Sequence, residues 1–283
     1  MLVETLPKTF EELVRISGLS HGTDVWTNNA QELVKSGTVT LSEAICTRDD
    51  IMTYLIEKGL PAQNSFKIME SVRKGKGLNE DQESLMREHD VPEWYIDSCK
   101  KIKYMFPKAH AVAYVTMAFR IAWFKVHMPL AYYATFFSIR AEQFDSEVMI
   151  NGKSRVKEKM ADIKRLGNEA TKTDKDMYSV LELVLEMYER GFNFLPIDLY
   201  KSEPVKFKVE DGAIRPPLNS IAGMGDVAAM GIGEARKNGE FISKQDIKKR
   251  AKVGDVAISL LEKFGCVEGM SETNQMSLFD TLM

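Results

Sequence analysis

The chain has 283 residues, of which 44% are hydrophobic and 28% are charged, so it can bury a sizeable core and disorder over its whole length is excluded. Its 38 Lys and Arg residues against 41 Asp and Glu residues give a formal net charge of -3. This balance argues against a uniformly basic nucleic-acid-binding surface and leaves only regional basic patches. Cys46, Cys99 and Cys266 form no CxxC pair, which predicts neither a disulfide framework nor a zinc site and favours the reducing cytoplasm.

The chain shows no sign of export or membrane insertion. Residues 1–10 lack the apolar region of a secretory signal. The longest apolar stretch, residues 109–124, is interrupted by Thr116 and Arg120 and is shorter than the roughly 18 to 20 apolar residues that span a bilayer. We therefore expect a buried helix there and no membrane partner.

Helical periodicity and capping signals predict an all-helical first half. Thr9 and Glu12 form a capping-box signature, and the first helix is expected to end within residues 17–22, where Gly18 and Gly22 interrupt the period. Short Gly and Pro segments separate the helices that follow. These are predicted over residues 28–35, 47–59, 65–73, 79–88, 92–105, 109–127 and 129–140.

The second half differs in composition. Charged residues dominate residues 151–176, so we place a domain boundary near residue 150, and helical period resumes over 178–188. Alternation over 205–209, ahead of Asp211-Gly212, predicts a small strand or hairpin. Two helical hairpins are expected within 218–269. The predicted fold is mainly α, with a helical domain over 1–150, a small α+β domain over 151–270 and a flexible tail over 271–283.

A glycine-rich segment of the second half has the pattern of a helix-hairpin-helix motif. Gly223 and Gly225 flank one apolar residue, and Ala228 and Ile232 lie on the next helix. Such glycines permit a positive-φ turn and let backbone N–H groups approach a DNA phosphate. A tight hairpin that binds nothing is the alternative, and the carboxylate of Asp226 favours it because it repels an anion. The cations that follow favour DNA binding: Lys244, Lys248, Lys249, Arg250 and Lys252.

The apolar helix of the first half allows two interpretations. At helical spacing Thr116, Arg120, Trp123 and His127 share a face, which would present a cation and a ring to a phosphate or base. In the other interpretation the aromatic residues Tyr114, Phe119 and Trp123 belong to the core and Arg120 is paired with an internal carboxylate. From the residues alone, the core interpretation is favoured.

No catalytic residue is predicted. Nucleotidyl transfer uses metal ions held by paired carboxylates, and the two acidic candidates, Asp49-Asp50 and Asp174-Asp176, are better explained as helix caps. Phosphate-binding loops and metal-binding histidine motifs are missing from the sequence.

The tail segment 275–279 has the form of an extended peptide whose Leu278 and Phe279 fill a partner's pocket. From the residues alone, a tail whose Leu278 and Phe279 fold back onto the domain is the favoured interpretation.

Five segments resemble the PolC-type bacterial DNA polymerase III alpha subunit. Four of them are similar, in the same order, to stretches of its fingers domain: SGLSHGTDVW (17–26), CTRDDIM (46–52), KIMESVRKGKG (67–77) and FPKAHA (106–111). A fifth, GFNFLPIDLYKS (191–202), resembles the entry to its duplex-binding domain. An ordered series of this kind is far more specific than any single match.

The resemblance implies fingers that close over an incoming deoxynucleoside triphosphate (dNTP), a helix-hairpin-helix domain that holds primer-template DNA, and a tail that binds the sliding clamp. It implies dNTP-binding residues at matching positions: Ser17, His21, Arg48, Lys108, His110 and Arg120. It implies a DNA-binding set at Gly223, Gly225, Val227, Lys244, Lys248 and Lys249. The clamp-binding set is Gln275, Met276, Leu278 and Phe279, with Met276 where Leu is more usual.

The family's palm, with its metal-binding aspartates, finds no match in this sequence. The resemblance therefore implies that Mg²⁺ serves the complete polymerase but is bound outside this chain, and that a palm-bearing remainder of the polymerase is a partner. Alone, the chain is not expected to polymerise. The alternative function is a non-catalytic, DNA-binding adaptor tethered to the clamp.

Overall fold

The structure is a computed structural model, and it describes residues 1–274. It confirms a mainly α fold with one small sheet. The chain folds into two compact units, Met1–Ala122 and a second that begins at Trp123. Among residues 1–274, no helix combines the length and the apolar content that crossing a bilayer requires.

The first unit is built from short helices around an apolar core. Its core includes Ile51, Leu55, Ile68, Tyr95 and Ile96, all almost completely buried. The helices are α1 Leu2–Thr5, α2 Phe10–His21, α3 Gln31–Lys35, α4 Arg48–Glu57, α5 Ala62–Arg73, α6 Glu80–Glu88, α7 Glu93–Lys101 and α8 Lys108–His127, the last of which extends into the second unit.

The first helix ends at His21, inside the expected range of residues 17–22, and Gly18 lies within it. A Cβ atom at position 18 would lie 2.7 Å from the carbonyl oxygen of Cys46, closer than such atoms approach. The glycine therefore lets α2 pack directly on the backbone at Cys46, and its role is close packing rather than chain reversal.

Two predicted helices are shorter in the structure because side chains and backbone groups have other partners. Residues 26–30 are partly non-helical, since the Asn29 amide donates to the carbonyls of Asp24 and Ser98 at 3.0 and 3.2 Å. The predicted helix over 92–105 ends at Lys101. Beyond it Tyr104 pairs with Thr23, whose N–H donates to the Tyr104 carbonyl at 2.9 Å.

The second unit combines helices with a β-hairpin. Its elements are α9 Pro129–Arg140, α10 Ser146–Met149, α11 Lys153–Leu166, α12 Lys172–Glu189, β1 Lys208–Glu210, β2 Ala213–Arg215, α13 Asp226–Ala235, α14 Lys244–Ala251 and α15 Asp255–Lys263. One core cluster joins α9, α11 and α12 through Phe137, Val156 and Leu181, and a second joins α13, α14 and α15 through Ile232, Ile247 and Leu261.

The predicted hairpin is present, but its first strand begins at Lys208 instead of Val205. Strands β1 and β2 are antiparallel, with Val209 opposite Ile214, and Asp211 and Gly212 both have positive φ as a two-residue turn requires. Phe207 stays outside the strand because its N–H donates to the Ser138 hydroxyl at 2.9 Å and its ring packs on Phe137 and Phe144.

The expectation that the apolar helix is buried is wrong. Ala111 is the one buried residue of α8, whereas the side chains of Tyr114, Phe119 and Trp123 are 63%, 52% and 48% exposed. Arg120 is also exposed, so it does not lie in the interior beside a carboxylate. Apolar composition predicted the bounds of this helix, but it carries no information on whether a neighbouring element covers it.

Candidate nucleic-acid interface

A row of rings in the first unit brings two of the sequence-predicted residues together. The His21 ring, at the end of α2, lies 4.9 Å from that of Phe106, and Phe106 lies 5.2 Å from His110. His110 in turn lies 4.6 Å from Tyr114, one turn further along α8. His21, His110 and Tyr114 are exposed, so the row presents imidazole and aromatic edges to solvent.

The first turns of α4 and α8 lie side by side next to this ring row. The Arg48 N–H donates to the Phe106 carbonyl at 3.3 Å. The Asp49 carboxylate accepts from the Lys108 N–H at 2.8 Å and lies 3.9 Å from Nε of Arg48. The side chains of Arg48 and Lys108, 38% and 43% exposed, therefore stand on neighbouring helix starts, where Arg48 pairs with Asp49 and Lys108 pairs with Asp50.

The remaining two predicted dNTP-binding residues lie at different distances from this cluster. Ser17 is one turn before His21 on α2, so both stand on the same side of that helix. Arg120 follows His110 by ten residues on α8, which is about 15 Å along the axis at the helical rise of 1.5 Å per residue. The structure thus groups four candidates, keeps Ser17 beside them and sets Arg120 apart.

One carboxylate of each acidic pair, Asp50 or Asp174, caps a helix, as the sequence predicts. Oδ2 of Asp50 accepts from the N–H groups of Cys46 and Thr47 at 3.1 and 2.8 Å, and Asp174 closes a capping box with Thr171 at the start of α12. These oxygens are already used as hydrogen-bond acceptors. Within residues 1–274, no group of three or more His, Cys, Asp or Glu side chains is placed to hold a metal ion.

The predicted helix-hairpin-helix turn forms what we call the first hairpin loop, residues 222–226. Gly223 has φ of 92° and Met224 is buried below the loop. Gly225 is the N-cap of α13, whose exposed first turn carries Val227, 84% exposed. Asp226 accepts from the Asn219 amide at 2.9 Å. The element before this loop is a single 3₁₀ turn, Leu218–Ser220, where a longer helix was expected.

A second hairpin loop, residues 251–255, was not singled out from the sequence. Lys252 has φ of 55°, Val253 is buried, and Gly254 is the N-cap of α15. The Gly-Asp-Val-Ala sequence at 225–228 recurs at 254–257, and Val256 is 71% exposed like its counterpart Val227. This recurrence is the signal that could have revealed the second loop.

The predicted DNA-binding lysines differ in how their charge is used. Lys244 lies 2.7 Å from Glu262 and also pairs with Glu272, and hydrogen bonds to both carboxylates raise its pKa. Lys248 pairs with Asp255, and this hydrogen bond lowers the pKa of the Asp255 carboxyl. Lys249 is exposed and makes no ion pair with any described residue. Of the three, Lys249 has the charge least compensated by the protein.

Arg250, next in the sequence, has a structural role. Its guanidinium donates to the carbonyls of Ala235 and Gly239 at 2.6 and 2.8 Å and lies over the Phe241 ring. The predicted clamp-binding residues Gln275, Met276, Leu278 and Phe279 lie outside the described residues.

Family comparisons agree with the two halves of this description. Residues 1–90 match the model of the bacterial DNA polymerase III alpha subunit finger domain, and residues 191–276 match the helix-hairpin-helix motif. The chain thus contains one segment similar to the polymerase III finger domain and a later segment similar to the helix-hairpin-helix motif. Neither match reaches residue 150, so the domain boundary placed there stays a prediction.

Across its full length the chain is similar to PolC-type DNA polymerase III. It is 58% identical over 279 residues to the enzyme of Clostridium perfringens and 54% identical over 279 residues to that of Bacillus subtilis. These alignments cover 99% of this chain and 19% of each relative. The resemblance to PolC-type polymerase III is confirmed, and the chain spans about one fifth of the length of the relatives it matches.

Proposed function

We propose that this chain is the part of a replicative DNA polymerase that positions the incoming dNTP and the primer-template duplex and that tethers the enzyme to its sliding clamp. The observation that carries the nucleotide part is the cluster at the first turns of α4 and α8, where Arg48 and Lys108 flank the ring row of His21, Phe106 and His110. Cations fixed on neighbouring helix starts suit a triphosphate, whose charge they neutralise.

In this proposal, the two hairpin loops contact the DNA backbone. Each begins a helix at a glycine that leaves the first-turn N–H groups sterically open, and such groups bind phosphate without reading bases. The exposed Lys249 adds a charge contact. Support from the relatives is their name, DNA polymerase III.

The remaining parts of the proposal concern groups outside the described residues. The tail residues Gln275, Met276, Leu278 and Phe279 dock on the clamp as an extended peptide. Groups outside this chain would hold the Mg²⁺ that promotes attack of the primer 3′-hydroxyl on the α-phosphate, with pyrophosphate as the leaving group. A cytoplasmic location is part of the proposal and agrees with three unpaired cysteines.

Titration of the chain with a fluorescent dNTP tests the nucleotide site. Lys108→Ala and Arg48→Ala should each weaken binding about tenfold, since each removes a charged hydrogen-bond donor. The matched control is Lys67→Ala, which removes an exposed lysine of α5 outside the ring row and should change the affinity less than twofold. Equal losses in all three variants would mean that dNTP binding depends on net charge and not on this cluster.

A further inference from the structure

We infer that Asp49 and Asp50 are positioning residues for Lys108, the first residue of α8, and so for the nucleotide site; this inference rests on the proposed function. The two carboxylates stand at the start of α4, and both contact Lys108, which follows Asp49 by 59 positions in the chain. Each holds a different part of Lys108, the backbone in one case and the ammonium group in the other.

Asp49 fixes the backbone of Lys108. Its Oδ2 accepts from the Lys108 N–H at 2.8 Å, which is one of the N–H groups that a helix start leaves without an intrahelical partner. A carboxylate in this place also interacts favourably with the helix dipole. The direction in which α8 leaves the loop at Pro107 is therefore tied to α4.

Asp50 forms an ion pair with the side chain of Lys108. Its Oδ2 is held by the N–H groups of Cys46 and Thr47, with Nη1 of Arg15 at 4.0 Å. The other oxygen, Oδ1, lies 3.7 Å from Nζ of Lys108. Because the Asp50 side chain is only 14% exposed and bound by two amides, it offers the lysine a rigid partner instead of a mobile one.

Local capping explains only part of this arrangement. The bonds from Asp50 to Cys46 and Thr47 complete the start of α4, but the bond from Asp49 to Lys108 adds nothing to that helix. A carboxylate that acts only through its charge and one that positions Lys108 predict opposite changes in anion affinity when the carboxylate is removed. Removing a carboxylate near a triphosphate strengthens anion binding through charge alone, whereas loss of positioning weakens it.

The test compares Asp49→Ala with Asp49→Asn, because Asn keeps an acceptor oxygen and loses the charge. We expect Asp49→Ala to weaken fluorescent dNTP binding about tenfold and Asp49→Asn to recover most of that loss, as expected when a hydrogen bond and not a charge is responsible. Asp97→Asn, an exposed carboxylate on α7, is the control and should match the unmodified chain. Tighter binding by Asp49→Ala, or equal loss in Asp49→Ala and Asp49→Asn, would overturn the role of Asp49.

Asp50 is tested by a double-mutant cycle with Lys108→Ala. If Asp50 acts through Lys108, Asp50→Asn should weaken dNTP binding in the unmodified chain and have little further effect in the Lys108→Ala background. Additive losses would overturn this assignment. Circular dichroism and urea unfolding of each variant identify any loss of the α4 cap that destabilises the fold.

Hydrogen exchange of the Lys108 amide tests the positioning role of Asp49 independently of dNTP binding, and so independently of the proposed function. If the unmodified chain binds no dNTP, the proposed function fails, but positioning still predicts that Asp49→Ala speeds exchange at Lys108 about tenfold over the unmodified chain and Asp49→Asn. Equal exchange in the three proteins would overturn the positioning of α8 by Asp49.

Discussion

The two hairpin loops of the second unit solve the same backbone problem with different residues. Each has one residue at positive φ, then a buried apolar residue, then a glycine that begins a helix. The first hairpin loop uses Gly223 for the positive φ and the second uses Lys252. A left-handed conformation costs an L-residue roughly 1–2 kcal/mol and costs glycine almost nothing. The second loop is therefore less stable at this position than it would be with glycine, but it carries a cation at the turn. The first loop has no cation there.

The carboxylate at the last position of each loop also has a different partner. Asp226 accepts from the neutral Asn219 amide, whereas Asp255 pairs with Lys248. Its charge is thus compensated by the protein at the second loop and left uncompensated at the first. A phosphate that approaches the first loop would meet an open backbone beside a bare carboxylate, and one that approaches the second would meet Lys252 beside a neutralised one. Both loops therefore offer a glycine at a helix start, but only the second adds a cation beside it.

The largest expected effect comes from the residue at which α13, the helix that follows the first hairpin loop, packs on the second hairpin loop. A Cβ at Gly231, in α13, would lie 2.5 Å from the carbonyl oxygen of Ala251, where the second hairpin loop begins. Gly231→Ala should lower the free energy of unfolding by about 2–3 kcal/mol through overpacking, although alanine normally stabilises a helix relative to glycine. Urea unfolding measures the change, with the exposed Glu234→Ala on the same helix as control. No loss of stability would show that the loops are not coupled through this contact.

A smaller loss is expected at the turn of the first hairpin loop. Gly223 has φ of 92°, so Gly223→Ala should lower the free energy of unfolding by about 1–2 kcal/mol through backbone strain. Urea unfolding again gives the value. If alanine were tolerated without cost, the division between a permissive and a strained turn would be wrong.

At the second hairpin loop, we expect substitution of the residue with positive φ to raise the free energy of unfolding. Lys252→Gly should raise the free energy of unfolding by up to about 1 kcal/mol, because glycine relieves the left-handed strain that lysine bears at φ of 55°. The same variant should weaken duplex DNA binding, measured by fluorescence anisotropy. A variant that was both less stable and equally tight in DNA binding would contradict the comparison on both counts.

The smallest effect separates a free lysine from a paired one. Lys249→Ala should reduce the slope of log affinity for duplex DNA against log salt concentration by about 0.9, the value for one lost phosphate contact. Lys248→Ala should change that slope less, since the Lys248 charge is shared with Asp255. Equal changes in the two variants would mean that the ion pair opens when DNA binds.

The sequence could predict the first hairpin loop because glycine at Gly223 and Gly225 marks a positive-φ turn and a close backbone approach. The second loop has a lysine at the position with positive φ, and a lysine in a sequence does not indicate that conformation. What remained visible was the repeated Gly-Asp-Val-Ala sequence, which becomes meaningful once both loops are seen to begin helices.

The sequence could indicate the candidate residues of the nucleotide site, but it could not indicate the hydrogen bonds that join them. The CTRDDIM and FPKAHA segments indicated Arg48, Lys108 and His110 through their resemblance to the polymerase fingers. The bond from Asp49 to Lys108 joins positions far apart in the chain, so no local period or spacing reports it. For the same reason hydropathy predicted the bounds of α8 but not its exposure, which depends on what packs against it.

The exposed apolar surface of α8 has a practical consequence for work with the purified chain. Phe119, Ile121, Phe124 and Val126 are each about half exposed or more, and exposed apolar side chains of this kind are retained by environment-sensitive dyes and hydrophobic chromatography resins. Sulfate-rich precipitants strengthen contacts between such surfaces, so concentrated samples should cloud earlier in ammonium sulfate than in sodium chloride of equal ionic strength.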